Sequence, residues 1–214
     1  MIVIGAKGFA KELLEDLVSS KYGFNESNLY FFDDISNDLP TKLFGKYKIL
    51  NSIEEVKSIF DNFSNQFSIG IGNPKNRKIM SDKFESIGGD LVTLISKSAV
   101  LGSFENSIGE GVNIMGGVQI TNNVKIGKGS LINLNCTIGH DCIIEDFVEL
   151  TPSVNISGNC KIGTLTSLGT GVVVIPNVTI GKKCVIGAGS VVTKDVPDNS
   201  LVVGIPGKVI KTFE

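Results

Sequence analysis

From residue 108 onward every sixth position is aliphatic: Ile108, Ile114, Ile120, Ile126, Ile132, Ile138, Ile144, Leu150, Ile156, Ile162, Leu168, Val174, Ile180, Ile186 and Val192. A helix repeats at 3.6 residues and a strand at two. An unbroken six-residue period therefore predicts a solenoid in which each flat face uses one hexad, and three hexads close a triangular coil. Five such coils, stacked at about 4.8 Å per strand, make a rod about 24 Å long. Four residues after each ladder aliphatic comes a compact side chain: Val112, Val118, Val124, Ser130, Cys136, Cys142, Val148, Val154, Cys160, Thr166, Val172, Val178, Cys184 and Ser190. One large and one compact residue per hexad fit a narrow prism filled by stacked layers. Gly109, Gly127, Gly139, Gly163, Gly181 and Gly187 directly follow ladder residues, where a corner is expected to demand an unusual backbone angle or a close approach.

Residues up to about 92 lack this ladder and alternate strand-like and helix-like segments. Residues 1–4 read as a buried strand, 5–10 as a glycine turn, and 11–18 as a helix with Leu13, Leu14 and Leu17 on one face. Residues 29–32 read as a second strand, and Ser52 with Glu55 as a capping box that opens a helix. Residues 67–71 form a third strand, 72–77 a turn and the start of another helix, and 91–95 a closing fourth strand. Short links between alternating elements predict a small parallel α/β, Rossmann-like domain over residues 1–94. A parallel β-helix with a short C-terminal tail follows over residues 95–214.

Composition narrows the function more than the fold. A net charge of −2 and a pI near 5.5 offer no global attraction for nucleic acid or an anionic membrane surface. No run of 18 apolar residues and no leader pattern is present, so no membrane span and a cytoplasmic location are expected. Cys136, Cys142, Cys160 and Cys184 all fall on the compact inward position of the repeat, which predicts core packing rather than disulfides or a metal site.

Four places can carry chemistry. The turn Gly5-Ala6-Lys7-Gly8 between a strand and a helix can aim backbone N–H groups at an anion, or can simply permit tight strand-to-helix packing. Asp33 and Asp34 end the second strand, where a carboxylate can accept from a ribose hydroxyl or base N–H, or else form a solvated turn. Arg77, the only arginine, has a planar fork suited to a diphosphate or to a structural ion pair. Fourth, His140 is the only histidine, and it stands between the inward pair Ile138 and Cys142, off the packed interior, where it can reach a groove as a general base. A lone histidine cannot supply the three zinc ligands of the β-helical carbonic anhydrases.

The segments GAKGFAKELLEDL, FFDD, IGIGNPKNRKI, INLNCTIGHDCIIEDFVEL and IGAGSVVTKDVPDNSLVVGIPGKVIK together resemble one branch of the hexapeptide-repeat acyltransferases. That branch holds the nucleotide-sugar N-acetyltransferases of the bacillosamine-pathway type and the sialic acid O-acetyltransferases. The resemblance implies a left-handed β-helix, a homotrimer with sites between subunits, acetyl-CoA as cosubstrate and no metal. It implies His140 as base, Asp141 as the acid that orients it, and Asn133 in the same site. Gly158, Ala188, Pro206 and Lys208 would line the CoA groove. Gly5, Lys7, Gly8, Asp33, Asp34 and Arg77 would lie at the nucleotide sugar. Two positions depart from the family pattern: Phe9 and Glu149 stand where many members have histidine, the latter near the acetyl thioester. The implied reaction is acetyl transfer to the amine of a UDP-linked 4-amino-4,6-dideoxy sugar. Acetylation of a hydroxyl, as on sialic acid, and a non-catalytic nucleotide-sugar-binding scaffold are the alternatives.

Overall fold

A computed structural model describes residues 1–19 and 22–213. The chain divides into two compact units, Met1–Gly72 with Asn76–Thr93 and Asn73–Lys75 with Leu94–Glu214.

The first unit contains, in order, β1 (Ile2–Ile4), α1 (Gly8–Val18), β2 (Tyr30–Phe32), β3 (Lys42–Leu43), β4 (Tyr47–Leu50), α2 (Ile53–Asn62), β5 (Gln66–Ile69), α3 (Pro74–Glu85, all but its first two residues) and β6 (Asp90–Leu91). The sheet order is β3-β4-β2-β1-β5-β6, parallel except for the β3–β4 hairpin. β1 is buried at every residue, as a central strand covered on both faces must be. α1 buries Ala10, Leu13, Leu14 and Leu17. Phe32, Phe67 and Phe84 meet at ring-centroid distances of 5.1 and 5.6 Å. α2 starts as a capping box, with Glu55 N–H donating to Ser52 Oγ at 3.3 Å and the Glu55 carboxylate reaching back to Asn51 N–H at 3.0 Å.

The second unit is a left-handed parallel β-helix. Two-residue strands at each ladder position pair with those 18 residues on, as in Asn113↔Leu131, Gln119↔Thr137 and Lys125↔Ile143, so each coil consists of three hexads. The first face runs from Leu94–Ile95 to Ser200–Val203 and is extended by the antiparallel strand Lys208–Thr212. The second runs from Val100–Leu101 to Val191–Val192, and the third from Ser107–Ile108 to Thr179–Ile180. The ladder aliphatics form one continuous buried column with the compact residues between them. Each fully buried aliphatic contributes roughly 1.5–3 kcal/mol relative to exposure.

The compact position does more than fill space. Cys136, Cys142, Cys160 and Cys184 are buried free thiols, and their Sγ atoms donate to backbone carbonyls of the following coil at 3.1–3.2 Å. Ser130 and Thr166 do the same to Glu145 O at 2.9 Å and Gly181 O at 2.7 Å. A hydroxyl or thiol here ties one coil to the next where valine only packs. Burial pushes the Cys136 thiol up to about 11, so it stays protonated and inert.

The structure departs from the sequence reading in three details. Residues 91–95 are not one strand: Asp90–Leu91 closes the α/β sheet, while Leu94–Ile95 is already the first rung of the β-helix. The β3–β4 hairpin had no alternation strong enough to be read. The glycines that follow ladder residues are there for close approach, since a Cβ on Gly139 would lie 2.6 Å from the Gly158 amide nitrogen. The left-handed angle falls two residues later, at the third residue after the ladder in every hexad from Gly111 to Gly189, with φ between +53° and +73°.

Candidate active site

His140 and Asp141 occupy the corner between the second and third faces, just past the strand Thr137–Ile138. Asp141 takes the left-handed corner angle, φ +59°, which aspartate tolerates better than most residues. Its Oδ2 lies 2.6 Å from Nδ1 of His140, and Nδ2 of Asn123, one coil earlier, donates to its Oδ1 at 2.6 Å. These two partners hold the Asp141 carboxyl below its ordinary range, the histidine bond contributing most. An ionised carboxylate only accepts, so Nδ1 carries the hydrogen and the lone pair of the neutral ring is on Nε2.

That Nε2 faces Gly158, the residue one coil later on the same corner. A Cβ on Gly158 would sit 2.6 Å from Nε2, so the glycine is what gives the imidazole room. The Gly158 N–H has no hydrogen-bond acceptor among the described residues. The His140 side chain is 64% exposed. The corner therefore presents a base with an open nitrogen beside an open backbone donor.

The remaining expected residues of this unit fall elsewhere. Asn133 is buried at the corner between the first and second faces, its Oδ1 accepting from Leu134 N–H at 2.7 Å. Ala188 lies on that same corner three coils further on, and Pro206 and Lys208 lie in the turn that leads into the last strand and at that strand's first residue. Glu149 is on the first face, accepting from Ser167 Oγ at 2.8 Å. One chain thus puts His140, Asp141 and Gly158 on one edge of the prism and Asn133 and Ala188 on the next, a full face away.

In the α/β unit a pocket of about 330 Å³ opens at the carboxyl ends of the central strands. Its walls are the segments that follow β1 (residues 5–9), β2 (33–36) and β5 (70–72). β1 is where the chain switches from pairing on its β2 side to pairing on its β5 side, the point at which open α/β sheets hold ligands. Gly5 has φ +106° and its absent Cβ would lie 2.9 Å from Gly70 O. Gly8 has nothing within 4 Å of a Cβ and stands at the first position of α1, whose N-cap Lys7 gives no side-chain cap. The helix N-terminus is left open to an anion. Lys7 pairs with Asp38 at 2.7 Å across the mouth of the turn, and Phe9 lines the pocket.

Both aspartates line this pocket, and both already have partners. Asp33 folds its own loop, accepting from Ile35 and Ser36 N–H at 3.1 and 2.9 Å, and Asp34 pairs with Lys83 at 3.2 Å. Arg77 corrects the expectation of a diphosphate ligand. It is wholly buried, and its guanidinium donates to Ile69 O at 2.9 Å and Ile71 O at 2.8 Å. It braces the backbone of the third wall from behind. Sequence reading missed Asn123, although the 18-residue coil length points from Asp141 straight to it.

Among the described residues, no group of three or more His, Cys, Asp or Glu side chains could hold a metal ion, and no helix is long and apolar enough to cross a membrane. Residues 1–84 match the family described as PglD N-terminal domain, and residues 159–194 match bacterial transferase hexapeptide repeats. The chain is 28% identical to the GDP-perosamine N-acetyltransferase of Escherichia coli O157:H7, over 94% of this chain and 81% of that protein. It is similar to the crystal structure of PerB from Caulobacter crescentus in complex with CoA and GDP-perosamine, with TM-score 0.84, 28% identity, and 98% and 96% of the two chains covered. It is also similar to the acetyltransferase domain of PglB from Neisseria gonorrhoeae in complex with acetyl coenzyme A, with TM-score 0.84, 26% identity and 98% of each chain covered.

Proposed function

The chain belongs to the hexapeptide-repeat acetyltransferases, in the branch that acetylates the amines of nucleotide sugars, and from that premise we propose a specific acceptor and a specific base. The acceptor is a nucleoside-diphosphate-linked 4-amino-4,6-dideoxy sugar. UDP is the carrier implied by the bacillosamine-type resemblance, and the GDP-sugar relatives make GDP the carrier to test beside it. The base is His140. The observation that carries this reading is the His140–Asp141 pair with Nε2 open beside Gly158.

Acetyl-CoA supplies the acetyl group as an activated thioester. As the amine nitrogen bonds to the thioester carbonyl carbon, His140 Nε2 takes its proton, and Asp141 stabilises the resulting imidazolium at Nδ1. As the C–S bond breaks, the proton passes to the departing CoA sulfur. The Gly158 N–H, without an acceptor among the described residues, is the donor we assign to the oxygen that gains charge during transfer. With all four cysteines buried, direct transfer is preferred over an acyl-enzyme. The diphosphate is held at the open N-terminus of α1, where Lys7 can exchange Asp38 for a phosphate, and Asp33 and Asp34 face the nucleoside.

The expected site residues lie on two edges of the prism, and that division supports assembly. Asn133, Ala188, Pro206 and Lys208 complete the site of a neighbouring copy in a homotrimer, with acetyl-CoA between adjacent β-helices. Work on activated sugars assigns the protein to the cytoplasm. The test is CoA thiol release from acetyl-CoA with a panel of UDP- and GDP-linked 4-amino sugars and free sialic acid. Release with one of the amino sugars is expected. Release with sialic acid alone would move the activity to a hydroxyl, and nucleotide-sugar binding without any acetyl-CoA affinity would reduce the protein to a scaffold.

A further inference from the structure

The left-handed positions along the edge that carries His140 are Glu105, Asn123, Asp141, Asn159 and Asn177, while the other two edges carry Gly111, Gly117, Gly129, Gly171 and Gly189 beside Asn135, Phe147, Ser153, Leu165 and Lys183. Glycine meets a positive φ at no steric cost, so the corner angle alone does not call for asparagine at 123. Asn123, at φ +56°, stands one coil before Asp141, at φ +59°, and the two side chains stack along the edge. The Asn123 backbone is fixed, its N–H donating to Phe104 O at 2.9 Å, while the neighbouring Asn122 O accepts from Asp141 N–H at 3.2 Å. Its amide then reaches Asp141 Oδ1 at 2.6 Å while Oδ2 faces His140 Nδ1 at 2.6 Å. With one tether the carboxylate can rotate about its terminal torsion. With a different partner on each oxygen, its plane is set.

We propose that Asn123 is a positioning residue for acetyl transfer, an assignment that rests on His140 being the base: its amide holds the Asp141 carboxylate in the plane that receives Nδ1–H, and so keeps the Nε2 lone pair turned towards Gly158. Asn123 touches neither substrate in this assignment and acts only through Asp141. The pairing links two residues 18 apart that occupy the same corner of successive coils, so it is built into the repeat geometry rather than into a loop.

The chain has a single histidine, so the imidazole ¹⁵N resonances report its tautomer with no assignment step. Asn123→Gly keeps the corner angle and deletes only the amide. Asn123→Asp also tolerates the angle but turns an acceptor against Asp141. Expected for Asn123→Gly is a shift from the pure Nδ1–H form to a mixture of tautomers and a fall in kcat of about tenfold, with KM for both substrates nearly unchanged. Asn123→Asp should lose more. Adding Asn123→Gly to Asp141→Ala should cause no further loss, because the amide then has nothing to hold. If His140→Ala turns over normally, the base reading and this assignment fall together. If His140→Ala is inert while Asn123→Gly keeps the wild-type tautomer, whatever its kcat, the positioning role alone is overturned, and multiplicative losses in the double variant overturn it equally.

Discussion

His140 is found by following a period until a polar residue breaks it at a corner, whereas the α/β pocket is found by asking where the strand order reverses. In the β-helix a corner residue meets its equivalents 18 residues away in the neighbouring coils, as Asp141 meets Asn123 and His140 meets Gly158. In the α/β unit the pocket walls are three separate turns braced against one another, with Gly5 N–H on Phe32 O at 2.7 Å and Gly70 N–H on Ile4 O at 2.7 Å. The first arrangement isolates a chemical group on a rigid rod. The second makes shape depend on backbone contacts that tolerate no side chain. Changes in the two regions should therefore fail in different ways, chemistry in one and binding with stability in the other.

The largest effect belongs to the rod. His140→Ala should lower kcat by about 10² to 10⁴ with KM for the nucleotide sugar little changed and the fold intact, because the side chain is largely exposed. The interior control is Cys136→Val, which removes a thiol donating to Thr151 O at 3.2 Å and installs the side chain that fills the same position one coil away on either side, Val118 and Val154. It should leave kcat alone and destabilise by less than about 1.5 kcal/mol. Steady-state kinetics beside urea denaturation separates them. Near-normal turnover by His140→Ala would erase the contrast from this side.

Gly5→Ala should fail in the opposite sense. Its φ of +106° is one that alanine rarely adopts, and the new Cβ would meet Gly70 O at 2.9 Å. Since neither backbone segment can yield cheaply, we expect destabilisation of roughly 1–3 kcal/mol. The turn would open and KM for the nucleotide sugar would rise, while kcat at saturation holds. A kcat loss with unchanged KM would show that the glycine turn serves the chemistry directly and that the two regions are not divided as described.

How far each region could be read from sequence follows the same division. The six-residue ladder is legible because every coil repeats one packing problem, so the prism, its three faces and the inward cysteines could all be written down from Ile108 to Val192. His140 stood out because it is the sole histidine at an outward position. Asn123 was hidden because its importance lies in a neighbour 18 residues away, and asparagine is common at such corners anyway. In the α/β unit, local patterns gave β1, α1 and the Ser52 cap but misjudged Arg77. An arginine beside a glycine turn reads like an anion ligand, and only tertiary packing reveals that its donors are taken by Ile69 and Ile71 carbonyls. The break inside residues 91–95 was equally invisible, since Leu91 and Leu94 are both buried aliphatics although they serve different sheets.

The smallest expected effect compares an ion pair from each region. On the rod, Glu145 accepts from Lys161 at 2.9 Å and from the N–H and hydroxyl of Thr164 at 3.0 and 2.9 Å, and these partners, Lys161 foremost, bring its carboxyl down to about 2. In the α/β unit Asp38 is lowered chiefly by its hydrogen bond to Lys7 in a pair that is more exposed at both ends. A carboxyl whose folded pKa lies below its unfolded value stabilises the fold above the unfolded value, near 4.5, and loses that contribution as pH falls towards about 2. Glu145→Gln should therefore be less stable than wild type at pH 7, by under about 1 kcal/mol for so solvated a pair. The gap should close between pH 4.5 and 2. Asp38→Asn should show a smaller gap, because one exposed lysine is a weaker restraint than three partners fixed by the coil above. Urea midpoints of the three proteins across that range decide it. A Glu145→Gln gap that persists undiminished at the acid end would mean that its stabilisation is not electrostatic, and that the rod gains nothing from stacking charged partners coil upon coil.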